Sequence, residues 1–137
     1  MEKKSIIVVL GIIENEQGEV LLSLRNDPKF PGAHLKWDLV GGKNEVGESL
    51  EETLTREIEE ETGLGVVVEK LLPKSICKNW ELPGLFQHTL LFCYVCQATS
   101  GELQNREEKI KELRWVKKEE LFGMDLLFSA REYLEML

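Results

Sequence analysis

The sequence predicts an α/β fold in which a mixed β-sheet is covered by helices on both sides. Three observations predict it. Short β-rich apolar runs stand both before and after one amphipathic helical segment, turn signals separate those runs, and a second amphipathic segment closes the chain.

Ser5 to Ile13 is an apolar run of strand length, and the polar turn Asn15 to Gly18 links it to a return strand at Val20 to Leu24. Two lysines precede this first run as in a weak signal peptide. No small-residue cleavage site follows and Glu14 comes at once, so a β-strand is the better reading. Asn26 to Lys36 contains Pro28 and Pro31-Gly32 and should be a loop, while Trp37 to Val40 forms a short strand running into Gly41 and Gly42. Leu50 to Thr62 has helical periodicity. Ser49 with Glu52 reads as a capping box at its start, and Gly63 suits the left-handed conformation at its end. Val66 to Leu72, Ser75 to Trp80 and Phe86 to Ala98 follow as strands, with Pro83-Gly84 as a turn. Leu113 to Val116 is a further strand, Lys117 to Phe122 a helical turn, and Ser129 to Leu137 an amphipathic helix with Tyr133, Leu134 and Leu137 inward.

The first helix carries the main functional signal. At about 100° per residue, Leu50, Leu54, Glu57 and Glu61 share a sector roughly 60° wide, with Ile58 and Glu60 flanking it. Two carboxylates therefore stand where an apolar stripe belongs. Like charges at i,i+4 repel, more so when partly desolvated, and hard divalent cations are the natural counter-charge. The glycines at 41, 42 and 47 leave the preceding loop without bulk, so its carbonyls can approach a ligand or cation. Arg56 lies on another face, placed to pair with Glu48 or a loop carbonyl and hold loop to helix.

From Gly42 to Leu64 the spacing is G-x5-E-x7-R-E-U-x-E-E-x-G-U, where U is a bulky apolar residue. This resembles the Nudix box, and every specified position is filled. The resemblance implies an α/β/α sandwich and a hydrolase that cleaves a nucleoside diphosphate linked to some other group X, with Mg²⁺ or Mn²⁺ bridging the phosphates. It implies Glu57 and Glu61 as principal metal ligands, Glu60 as a ligand directly or through water, and the Gly41 carbonyl as a further one. Glu48 and Arg56 complete the catalytic set. Glu57 is the first candidate for the general base, although a metal-bound carboxylate is a weak one.

Composition bounds the partners. With 137 residues and 42% hydrophobic content, the chain is expected to form a single domain over 1–137 around one core. A formal charge of −8 without a basic cluster argues against nucleic-acid polymers. A small anionic substrate remains compatible if cations cancel the local field. No membrane association is expected, a reducing cytoplasmic location is the default, and a homodimer stays open. Cys93 and Cys96 fall inside an apolar run where i and i+3 face opposite sides of a strand, so buried structural cysteines are expected rather than a zinc or redox pair.

Outside the box, Arg25 matches a position where relatives often place a phosphate-binding arginine, with an ordinary surface arginine as the alternative. Trp37 and Trp80 are candidates to stack on a base, and Trp37 fits a core position equally well. Glu108 or Glu112 could join the metal site as an extra ligand or base. His88 reads as structural. Val40 departs from the family, where proline is common before the two glycines. A MutT-like hydrolase of nucleoside triphosphates is the leading expectation, ahead of ADP-ribose or dinucleoside polyphosphates. A non-catalytic nucleotide-binding module is the reading from another class, disfavoured because such a module needs no inward carboxylates.

Overall fold

The computed structural model describes all residues, 1–137, and contains eight strands and two α-helices. The strands are β1 (Glu2–Glu14), β2 (Val20–Arg25), β3 (Trp37–Asp38), β4 (Val40–Lys43), β5 (Gly65–Leu71), β6 (Ile76–Leu82), β7 (Leu85–Ser100) and β8 (Ile110–Val116). Helix α1 spans Leu50–Thr62, α2 spans Phe128–Leu134, and a 3-10 helix covers Lys118–Gly123. All strands join one sheet with the order β3-β2-β1-β7-β5, while β4 adds to β1, β6 to β7 and β8 to β2. β1 and β7 run parallel and the other pairs antiparallel, so the sheet is mixed.

Alternation along the strands sends side chains to two separate cores. Leu10, Ile12, Val20, Leu22 and Cys93 point to the face covered by α2 and the 3-10 helix, whose Tyr133, Leu134 and Leu121 close that core. Val9, Ile13, Leu21, Tyr94 and Cys96 point to the other face, against Leu54 and Ile58 of α1. Cys93 and Cys96 thus lie in opposite cores, and all three cysteines are free. The sandwich follows from this two-sided burial.

Helix α1 begins and ends as its sequence dictates. Ser49 accepts from the Glu52 amide at 3.1 Å, Glu52 returns the contact to the Ser49 amide at 2.9 Å, and Gly63 turns left-handed at φ 76°.

Three expectations need correction. The predicted strand Trp37 to Val40 is two strands, since Trp37–Asp38 pairs with β2 while Val40–Lys43 pairs with β1. Gly41 and Gly42 therefore lie within β4 and not in a loop. A side chain at Gly41 would collide with the Val9 carbonyl of β1, which explains glycine in a paired strand. Second, α2 stops at Leu134 and Leu137 is half exposed, because the chain frays after its last buried turn. Third, β8 starts at Ile110, its early residues being charged and alternating, with a register shift opposite Leu24 and Arg25.

Candidate active site

A cavity of about 480 Å³ crosses the sheet on the α2 side, from the β6 and β7 hairpin over β1 to the free edge of β4. Its floor is formed by alternate residues of β1 and β7, including Ile6, Val8, Thr89 and Leu91. At the β4 end stand Gly41, Gly42, Glu57, Glu61 and Glu107. At the other end stand Phe30, Trp80 and Phe128.

Glu57 and Glu61 lie at the border of the stripe that α1 buries through Leu54, Ile58 and Thr62. Packing one side of the helix carries them under β4. A side chain at Gly42 would strike the Glu57 carboxyl, so glycine is what lets the strand close over the acid. Burial, reinforced by hydrogen bonding to Glu57 and its charge, pushes the Glu61 carboxyl up to about 9. Without a cation the Glu61 carboxyl keeps its proton at neutral pH.

Arg56 organises the surroundings. It is bidentate to Glu48, with Nε 2.6 Å from Oε2 and a terminal nitrogen 2.9 Å from Oε1, and it also reaches the Lys43 carbonyl at 3.2 Å. Its other terminal nitrogen meets Glu57 at 3.0 Å and Glu60 at 3.2 Å. Chiefly through Arg56, the Glu48 carboxyl falls to about 2. Thr53 donates to Glu48 at 3.0 Å and Asn44 to Thr53 at 2.7 Å, so loop and helix form one hydrogen-bonded unit. Neither Glu48 nor Arg56 lines the cavity.

The other expected residues divide. Trp80 is at the cavity wall, half-buried, with the Phe30 ring edge-on at 5.2 Å. Trp37 is not at the wall; it is 9% exposed inside the α2-side core, with the Arg114 guanidinium 4.9 Å over its ring. Arg25 lines the cavity but is engaged by Asp27 at 3.0 Å and Asp38 at 3.1 Å. Burial drives Asp38 upward against the pull of Arg25. Glu60 points to Arg56 and away from the cavity, its side chain 55% exposed. Glu112 pairs with Arg114 outside, and Glu108 contributes only a carbonyl, to Asn26 at 3.1 Å. Glu107 is the acid of that segment that enters the cavity, missed because a charged run ahead of a strand carries no readable register. His88 faces away and lies 3.2 Å from Asn79.

Three carboxylate, histidine or cysteine side chains do not converge as a metal cluster anywhere in the chain. The donor set at the β4 end is a carboxylate pair beside the backbone of Gly41. Its chemistry fits a hard divalent cation that keeps open positions for water and substrate oxygens. Lys4, Lys43 and Lys109 line the same cavity, and none makes an ion pair within the protein. Lys43 is lowered first by Lys4 and then by its burial. A cavity with acids at one end and unpaired ammonium groups along it can hold a metal-bound polyanion.

Comparison with known proteins agrees with this geometry. The model of the NUDIX domain matches residues 4–136. Nucleoside triphosphatase NudI of Escherichia fergusonii is 28% identical over 136 residues, covering 94% of each chain. The crystal structure of a MutT protein from Methanosarcina mazei Go1 is 32% identical with a TM-score of 0.71, covering 99% of this chain and 94% of that one. A MutT Nudix hydrolase from Burkholderia pseudomallei superposes with a TM-score of 0.81 at 27% identity, over 98% of both chains. The box, the sheet that carries it and the match along nearly the whole length agree: this chain belongs to the family of Nudix hydrolases.

Proposed function

We propose that the protein hydrolyses nucleoside triphosphates to a nucleoside monophosphate and pyrophosphate, with Mg²⁺ or Mn²⁺ held by Glu57, Glu61 and the Gly41 carbonyl. The observation that carries this reading is the Glu57–Glu61 pair at one end of a cavity whose far end is aromatic. A bound cation supplies neutralisation of the phosphate charge and polarises the anhydride. Glu57 and Glu61 hold that charge once the Glu61 carboxyl has lost its proton. Arg56 and Glu48 keep the pair fixed, while Lys4, Lys43 and Lys109 meet the remaining phosphate oxygens. Trp80 takes the base. Water attacks a phosphorus, the P–O anhydride bond breaks, and the proton of the water passes to Glu107, a cavity carboxylate outside the pair.

The nucleoside triphosphatase and MutT relatives support this reading over ADP-ribose. The test is a release assay with Mg²⁺ or Mn²⁺ over nucleoside triphosphates, ADP-ribose, sugar nucleotides and dinucleoside polyphosphates. Triphosphates should give the highest kcat/KM, with no turnover in chelator. Failure to cleave any triphosphate, or full activity in Glu57→Gln, rejects the proposal.

A further inference from the structure

The cavity floor contains polar groups that the reaction does not use. On β7 the cavity-facing positions are Leu85, Gln87, Thr89 and Leu91, so an amide and a hydroxyl interrupt an otherwise apolar row. Gln87 is 9% exposed and Thr89 4%. The Gln87 amide nitrogen donates to the Thr89 hydroxyl at 3.3 Å, whereas its Oε1 meets no protein donor and opens into the cavity. Ser129, 7% exposed, enters from the α2 wall, and its hydroxyl has no protein partner either. Both residues are almost wholly enclosed, yet the polar atoms that lack a protein partner open into the same space and stay free to bond a ligand.

That space is walled by flat groups. Trp80 and Phe30 meet edge to face, and Lys78 lies 5.0 Å from the Trp80 ring and 6.0 Å from that of Phe128. Strand register gives its distance from the carboxylates. Gln87 stands opposite Lys4 on β1, and Gly42, which touches Glu57, stands opposite Val9. Five residues of strand separate the two, about 16 Å. A pyrophosphate alone is too short for that span; a nucleotide polyphosphate extends over it.

We infer that Gln87 and Ser129 form a base-reading subsite, in which a nucleobase lies on Trp80 and presents its hydrogen-bonding edge to the Gln87 amide and the Ser129 hydroxyl. The subsite rests on the nucleotide reading above and adds base selectivity to it. Gln87 offers a free acceptor beside its remaining N–H, which complements a donor next to an acceptor on a base edge. Ser129 sets which of the bases satisfies all groups together. A mismatched base leaves one of these buried groups unpaired, and such sites discriminate strongly.

The test uses binding and needs no turnover. Each of the four common nucleoside 5′-monophosphates is titrated into the full chain while tryptophan fluorescence is followed, with Trp80→Phe as the control that removes the quench. The wild type should spread the four affinities by at least about tenfold, and Gln87→Ala should narrow that spread to within about threefold. Gln87→Glu keeps the volume and removes the donor, so it should re-order the bases. Absence of any Trp80-dependent quench, equal affinities in the wild type, or an unchanged order in both Gln87 variants overturns the subsite. If the enzyme cleaves no triphosphate but the spread is present, the proposed reaction fails and the subsite stands.

Discussion

Glu61 links protonation to function at the scale of a single residue. Its carboxyl ionises near 4.5 in a free chain and near 9 in the fold, so folding favours the protonated form. That stabilisation is complete below pH 4.5 and lost as pH rises to 9. Melting temperatures of the cation-free protein should therefore fall across this window, while Mg²⁺, which favours the ionised pair, should reverse the trend. Melts from pH 5 to 9 with and without Mg²⁺ check this. Glu61→Gln should remove the slope, and a slope that survives in that variant assigns it to another group. In the reaction, Glu57→Gln or Glu61→Gln should lower kcat by about two to four orders of magnitude, measured with saturating Mn²⁺.

Elements, more than single side chains, hold the carboxylates in place. β4 closes over α1 at two adjacent glycines that answer to different neighbours. Gly41 faces the Val9 carbonyl of β1, and Gly42 faces the flexible Glu57 carboxyl. Gly41→Ala should therefore lower thermal stability by disturbing the strand pair, whereas Gly42→Ala should keep the fold and lose activity by displacing Glu57. Comparing melting temperature with kcat/KM in the two variants separates these outcomes. Arg56 clamps the loop between β4 and α1 by a two-pronged contact with Glu48 that lysine cannot copy. Arg56→Lys should weaken Mg²⁺ affinity or kcat/KM by about 10- to 100-fold, read by metal titration of the steady-state rate. Unchanged metal dependence would reduce Arg56 to a surface ion pair.

For the whole molecule, helices pack on both faces of a sheet whose β4 edge borders the cavity. The Tyr133 hydroxyl contacts the Leu91 carbonyl at 2.9 Å and the Lys74 carbonyl at 3.0 Å, tying α2 to β7 and to the loop after β5. Tyr133→Phe should cost about 1–3 kcal/mol in denaturant unfolding. Ile58→Ala, in the core beneath α1, should cost about 2–5 kcal/mol. The chain has a formal charge of −8, yet its cavity brings Lys4, Lys29, Lys43, Lys78 and Lys109 to one surface. No helix is long and apolar enough to cross a membrane.

Local rules made much of this legible in the sequence. Capping at Ser49 and Glu52, the turn at Gly63 and the hairpins act over a few residues, and each appears in the structure as read. The pairing of Arg56 with Glu48 also follows from one helix and its adjoining loop. What local pattern left open was decided by contacts distant in the chain. Glu60 is on the exposed side because the buried stripe of α1 centres on Leu54 and Ile58, which is set by the sheet beneath. Trp37 went to the core because β3 bonds to Asp125 and Leu127 near α2. Glu107 rather than Glu108 reached the cavity through the register of β8 on β2, and Gln87, opposite Trp80 in the β6–β7 hairpin, met Ser129 only when α2 packed on the sheet. The sequence determined the carboxylate pair because Glu57 and Glu61 lie one turn apart on a single short helix. The aromatic end is assembled from three distant segments, and only tertiary packing brings those together.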